Sequence, residues 1–186
     1  IADRLHNMRT LDFITDENRK KRVAKETMEI YAPLSDRMGM NRIRDELEDL
    51  SFQKLNPEAR NLVVEKLSIN KKNRLNNFKE ISKKFNIILI DNGVDAKIMG
   101  REKTPFSIWR KMQSKRVSLE QLTDVIGFRV VVDSVATCYK VLGIFHNNWS
   151  TIPGRFKDYI STPKINNYKS IHTSIIGPNK EIVEIQ

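Results

Sequence analysis

The chain has 186 residues, 39% of them hydrophobic and 30% charged, and its 33 basic and 23 acidic side chains leave a formal charge of +10. That is enough apolar material for one ordinary domain, or one domain and a piece of another, and no apolar run approaches the roughly 18 residues of a membrane-spanning helix. The lone Cys138 excludes an internal disulfide and a cysteine zinc site, while the basic balance suggests an anionic partner: nucleotide, nucleic acid or membrane headgroup. No charged-then-apolar signal segment opens the chain, so a cytoplasmic protein is expected. A start at Ile1-Ala2-Asp3 without Met and a strand-like end suggest a piece of a longer protein.

Residues 1–14 read as the end of a helix on which Asp3 and Asn7, four apart, share a face. From Asp16 a second helix carries Val23, Thr27, Ile30, Tyr31 and Leu34 at helical spacing, with Pro33 near its end. Gly39 closes it and Asn41 is read as the cap of the next, which presents Ile43, Leu47, Leu50 and Phe52. A third helix is expected from Asn56-Pro57 to about Asn86. Its basic run of Lys71, Lys72, Arg74, Lys79, Lys83 and Lys84, with Glu80 as counter-charge, reads as a solvated face before it reads as an RNA contact. The period then changes: Ile87–Ile90 and Ala96–Met99 read as β segments around the Asp91-Asn92-Gly93 turn, where the α/β part begins.

The segment Gly100-Arg-Glu-Lys-Thr-Pro-Phe-Ser-Ile-Trp-Arg-Lys-Met is the first with chemistry in it. A strand continuing through it puts Arg101 and Lys103 on one face; Thr104 then caps a helix with Pro105 in its first turn, and Ser107 and Lys111 point the same way along it. Free N–H groups, a hydroxyl, two lysines and an arginine at a strand-to-helix junction suit a triphosphate. Val125–Val132 reads as a buried strand, with Asp124 at its start, where an acid reaches a site without being buried unpaired. Mg2+ takes one or two carboxylates beside phosphate oxygens and water, so one acid here and one elsewhere suffice. Arg129 stays open between a phosphate contact and an ion pair. A helix from Ser134 to about Trp149 turns Val135, Cys138, Tyr139, Leu142 and Phe145 inward, with Cys138 as a core residue.

The stretch from Arg155 to Thr173 has the composition of a loop that holds a flat, multiply charged ligand. Lys157, Lys164 and Lys169 supply point charges, His172 a hydrogen bond or proton, and Tyr168 a ring face for a base. Asn166 and Asn167 tolerate left-handed backbone and turn the loop. His172–Ile176 and Ile182–Gln186 read as a hairpin; a four-residue connection would put His172 and Glu184 on opposite faces, a five-residue one on the same face, and the sequence leaves the register open.

The order Arg-Phe-Lys-Asp-Tyr-Ile, Thr-Pro-Lys, Asn-x-Tyr-x-Ser-x-His-Thr resembles the synthetase domain of the RelA/SpoT family, whose enzymes make and degrade the alarmones ppGpp and pppGpp. Further segments follow the family's order, and Ala2-Asp-Arg-Leu-His-Asn-Met-Arg-Thr resembles the end of its hydrolase domain. The resemblance implies an α/β (α+β) fold: a nucleotidyltransferase-like mixed β-sheet flanked by helices and preceded by a helical connector. Residues 1–40 would be the remnant of an HD-type hydrolase domain with its connector, and 41–186 a synthetase domain continuing past Gln186. It implies transfer of pyrophosphate from ATP to the 3′-hydroxyl of GDP or GTP, with Arg101, Lys103, Ser107 and Lys111 on ATP, Lys157, Lys164, Tyr168 and His172 on the acceptor, Asp124 on Mg2+, and Glu184 either on Mg2+ or as the base that activates the attacking hydroxyl, Glu181 being its rival.

Asp3 and Asn7 would belong to the hydrolase site, which takes Mn2+ and draws its other ligands from upstream sequence, so hydrolysis is not expected here. Arg155-Phe-Lys-Asp resembles the bifunctional branch. Departures stand at Asp36, where a histidine is expected, and at Ile165, Asn167 and Lys169, where the family more often shows Pro, Gly and Gln. The alternative is a catalytically silent domain that binds guanine nucleotide or RNA. A polynucleotide nucleotidyltransferase fits less well, because Asp124 has no second acid beside it on its strand. Ribosome or RNA contact belongs to a full-length protein, no membrane is expected, and the oligomeric state is not legible.

Overall fold

The computed structural model describes the backbone of residues 1–69, 71–118 and 126–186, and their side chains except at 71–74, 102 and 126. The helices are α1 (Ala2–Arg9), α2 (Glu17–Glu26), α3 (Ala32–Arg37), α4 (Asn41–Leu55), α5 (Pro57–Ile69), α6 (Lys71–Asp91), α7 (Pro105–Lys115) and α8 (Val135–Asn148); the strands are β1 (Lys97–Glu102), β2 (Ile126–Val131), β3 (Lys157–Asp158), β4 (Ile171–Ile176) and β5 (Ile182–Ile185). They form two compact units: Ile1–Ser68 with Thr104–Leu119 and Ile165–Asn167, and Ile69–Lys103 with Glu120–Lys164 and Tyr168–Gln186.

The first unit is helical. Asp16 caps α2 by accepting from the Asn18 and Arg19 N–H groups at 2.9 and 3.1 Å. Between α2 and α3 lies a π turn, Thr27–Tyr31, just ahead of Pro33. Pro33 has no N–H and crowds the carbonyl four residues back, and the wider turn absorbs both defects. The extra residue rotates the inward stripe. Ala24, Thr27, Ala32 and Ser35 are buried, while Ile30 and Leu34, expected inside, are exposed. Gly39 (φ +72°) closes α3 as expected. Asn41 is not the cap of α4: it is the helix's first residue, with no side-chain cap bond, and its side-chain oxygen Oδ1 instead accepts from the Arg44 guanidinium at 3.1 Å.

Met8, Leu11, Ala24, Ala32 and Leu47 form this unit's core. Around α4, Phe52 packs on Phe106 and Trp109 of α7, at centroid distances of 5.4 and 5.0 Å. Beside them the Glu48 carboxylate meets Arg110 of α7 at 3.3 Å; burial pushes its carboxyl up, against the pull of Arg110 and Arg44. Asn166 donates to the Asp36 carbonyl at 2.9 Å. Asp36 itself pairs with Arg44.

The second unit is a five-stranded sheet in the order β1-β2-β5-β4-β3. Only β2 and β5 run parallel; the other neighbours are antiparallel, so the sheet is mixed, as expected. Against the expectation of a strand, Ile87–Ile90 is helical: α6 runs to Asp91, past the end near Asn86 expected of the third helix. Its apolar residues Phe78, Ile81, Phe85 and Leu89 recur at three- and four-residue spacing and pack onto the sheet, and this face outweighs the β preference of the Ile-Ile-Leu-Ile run. In α8 the inward residues are Val141, Ile144 and Phe145, whereas Val135 and Tyr139, expected inside, are exposed.

Gly100 lies under the Phe78 ring, where an added Cβ would sit 2.8 Å from Phe78 Cδ1. Phe85 is at the centre, with ring centroids 5.3 Å from Phe128, 4.8 Å from Phe145 and 5.0 Å from Trp149. Phe85→Ala is therefore expected to cost about 3–5 kcal/mol in chemical denaturation; a loss under 1 kcal/mol would contradict this packing.

Candidate active site on the polar face of the sheet

Register assigns every strand residue to one of two faces. Arg101 pairs with Gly127, Gly127 with Glu184, and Glu184 with Ser174, which makes one row across four strands. Lys157 pairs with His172, two residues before Ser174, so both share that face. The connection from β4 to β5 has five residues, 177–181, the length that brings His172 and Glu184 together. The other face carries Phe128, Ile185, Thr173 and Ile175 and belongs to the core with α6 and α8.

On the polar face Lys103 Nζ lies 2.9 Å from Oε2 of Glu184. Arg101 donates to the Gln186 side-chain oxygen at 3.0 Å, and the Gln186 amide donates to Glu184 Oε1 at 3.3 Å. Gly127 has no side chain, so the row is open between Arg101 and Glu184. Glu181, the rival acid, looks the other way: it sits by Asn77 and Glu80 of α6, and burial pushes its carboxyl up.

The acceptor stretch closes beside β4. The rings of Tyr159, Tyr168 and His172 meet edge to face, with centroids 5.0 to 5.9 Å apart. The Tyr168 hydroxyl is 3.0 Å from His172 Nε2. Burial holds His172 down to about 4; Lys164, Arg101 and Lys157 add to this and Glu184 opposes it, so the ring is neutral at pH 7. Asp158 organises the turn: one carboxylate oxygen accepts from the Ile160 and Ser161 N–H groups at 2.8 and 3.0 Å, and the other accepts from the Tyr139 hydroxyl at 2.9 Å. These donors, the Ser161 N–H first, hold its carboxyl down to about 2. Asn167 adopts φ +55°, the left-handed backbone expected of this pair of asparagines. Lys169 is exposed.

The remaining candidates lie elsewhere. Thr104 caps α7 as expected, accepting from the Ser107 N–H at 3.2 Å, and the Ser107 hydroxyl donates to the Thr104 carbonyl at 2.8 Å. Ser107 and Lys111 are half-buried on α7 in the first unit, whereas Arg101 and Lys103 belong to the second. Asp3 accepts from the Asn7 side chain at 3.0 Å on α1. Asp124 lies outside the described residues. Arg129 shares the Arg101 face through its pairing with Met99.

Among the described residues no three His, Cys, Asp or Glu side chains form a metal cluster, and no helix is long and apolar enough to cross a membrane. A cavity of about 340 Å³ lies where α8 faces the sheet, lined mostly by apolar residues such as Val130, Val141, Phe145 and Ile185. Cys138 is there too, half-buried, its thiol pushed up by burial. His146 bonds Thr173 at 2.9 Å on this core side, which leaves His172 as the histidine of the polar face.

Sequence reading missed Asp158, Tyr159 and Gln186. Two signals were present: Asp followed closely by Ser-Thr-Pro is a turn signature, and Gln186 stands two residues from Glu184 on the same strand face.

A folded-state pKa below that of free histidine means that the unfolded chain takes its proton first. His172 therefore costs stability as pH falls from about 6.5 to about 4, with nothing further lost below. An NMR titration should place the ring near pH 4, and Glu184→Gln should lower it further by removing an opposing charge; a midpoint above 6 would contradict the described environment.

Comparison with known proteins gives matches at both ends of the chain. Residues 100–186 match the profile described as "Region found in RelA / SpoT proteins", and residues 1–41 match "HD domain". The chain is 51% identical over 187 residues to GTP pyrophosphokinase rsh of Brucella melitensis and 43% identical over 185 residues to guanosine-3′,5′-bis(diphosphate) 3′-pyrophosphohydrolase of Haemophilus influenzae. Both alignments cover 100% of this chain but 25% and 27% of the relative, so the chain spans about a quarter of the length of these proteins. Among solved structures, small alarmone synthetase 1 from Bacillus subtilis aligns at TM-score 0.47 and 22% identity, over 63% of this chain and 70% of that one. A GTP pyrophosphokinase family protein from Streptococcus pneumoniae aligns at 0.46 and 24%, over 60% and 64%. The chain belongs to the RelA/SpoT family.

Proposed function

We propose that this chain forms the alarmone synthetase part of its protein, transferring pyrophosphate from ATP to the 3′-hydroxyl of GDP or GTP in the cytoplasmic stringent response. The observation that carries this reading is the polar face of the sheet, where the carboxylate of Glu184 stands among Lys103, Arg101, Lys157 and His172 beside an aromatic cluster. The 3′-oxygen attacks the β-phosphorus of ATP, the bond from that phosphorus to the α–β bridging oxygen breaks, and AMP leaves with that oxygen.

Such transfers ask a protein mainly to position two nucleotides and to neutralise charge. Glu184 takes the hydroxyl proton as the bond forms. Its partner Lys103 then has a phosphate to turn to, together with Arg101, while Lys157, Lys164 and His172 hold the acceptor's phosphates and Tyr168 stacks on guanine; Ser107 and Lys111 keep the ATP roles that the family resemblance implies. A neutral His172 donates a hydrogen bond without adding to the positive field. An oxygen-rich donor set of Glu184, Asp124 and phosphates suits Mg2+, which when bound supplies charge neutralisation to the triphosphate. The Asp3–Asn7 pair on α1 would serve the hydrolase half, with Mn2+ and ligands from other sequence.

Incubation of the chain with γ-labelled ATP, GDP and Mg2+, with products separated by charge, tests this. Labelled ppGpp is expected. Glu184→Gln should lower its rate by about 10²-fold or more, and Tyr168→Ala should raise KM for GDP about tenfold while leaving KM for ATP unchanged. Tyr168-dependent GDP binding without product would favour the silent guanine-nucleotide binder; salt-sensitive RNA binding without GDP binding would favour the RNA reading, by way of the α6 lysines.

A further inference from the structure

The Lys164 ammonium lies 4.6 Å from the Tyr159 ring centroid and 5.0 Å from that of Tyr168, over both rings at once. The two rings stand at 64° to each other, so a single cation serves both faces. Lys164 is exposed, on a flexible stem, and follows the turn that Asp158 ties down at Ile160 and Ser161. The surface on which a purine base would lie is thus covered by the chain's own cation.

We propose that Lys164 gates this platform: its ammonium covers the tyrosine rings in the unliganded chain, and an acceptor's phosphates draw it away, so that a base without phosphates meets a capped surface. This rests on the acceptor reading of the Tyr168 loop and adds to it a specificity-determining role. A cation over a half-exposed ring is held weakly, whereas an ammonium on a phosphate gains a charge-assisted bond. GDP and GTP carry the means to move Lys164 and guanosine does not. One side chain thereby contributes twice to selection of a phosphorylated acceptor, by repelling the bare nucleoside and by holding the nucleotide.

Calorimetric titration of the chain with guanosine and with GDP separates the two contributions, because they have opposite signs. Lys164→Gln is expected to bind guanosine about fivefold tighter and GDP about tenfold weaker than the unaltered chain, while Lys164→Arg, which keeps a cation, retains the original order. Independently of any variant, the Lys164 ε-methylene protons should be shifted upfield by the rings in the free chain and move downfield when GDP is added. Guanosine binding that is unchanged or weakened in Lys164→Gln, with GDP binding still lost in Tyr168→Ala, would overturn the gate alone. GDP binding indifferent to Tyr168→Ala would remove the platform, and the gate with it.

Discussion

Side chains alternate along a strand, so one residue more or fewer between β4 and β5 decides what the polar face contains. The five-residue connection sets Ser174 opposite Glu184, and with that register His172, Glu184 and Gln186 come to one side. The parallel pairing of β5 with β2 carries the row across Gly127 to Arg101. A slip of one residue would send Glu184 into the core with Val183 and Ile185 outside, costing both the packing and the site. The buried face therefore enforces the chemical one: Val183 and Ile175 are fully buried, and their burial is what holds the carboxylate outward.

Charge on that outward face is unbalanced by design of position. Arg101, Lys103 and Lys157 stand against one described acid, Glu184, and the +10 of the whole chain adds to the same field. An anion is what such a surface lacks, and the aromatic cluster beside it supplies a place for a planar group. Burial, with Lys164, Arg101 and Lys157 adding to it, keeps His172 neutral, and the ring is a hydrogen-bond partner for Tyr168.

The local signals in the sequence were legible where one residue settles the geometry. Thr104 with Pro105 starts α7, Gly39 ends α3, and Asn167 takes the left-handed turn, each for a reason confined to a few neighbours. Arg101 and Lys103 followed from alternation once the strand was drawn through Gly100. What could not be read needed tertiary context. The π turn before Pro33 shifted a helical stripe by one residue, and packing on the sheet kept Ile87–Ile90 helical against its β-branched composition. The hairpin register is likewise a property of two faces rather than of the Gly177–Glu181 connection alone. Tyr159 became part of the candidate site through its contacts with Tyr168 and His172, which are distant along the chain or reached only after a turn.

The most direct test of this account asks on which face of the sheet a guanine nucleotide binds. His172 and its neighbours Ile171 and Thr173 point to opposite sides, so carbon-13 spectra of the labelled histidine ring and of isoleucine methyls distinguish the faces during titration with GDP; Tyr168, which also lines the cavity by α8, reports binding but not the face. The account predicts that the His172 and Tyr168 rings shift while the methyls of Ile175 and Ile185 stay in place. Shifts of the Ile171 and Ile185 methyls, which line the cavity of about 340 Å³ by α8, with the His172 ring unmoved, would contradict it.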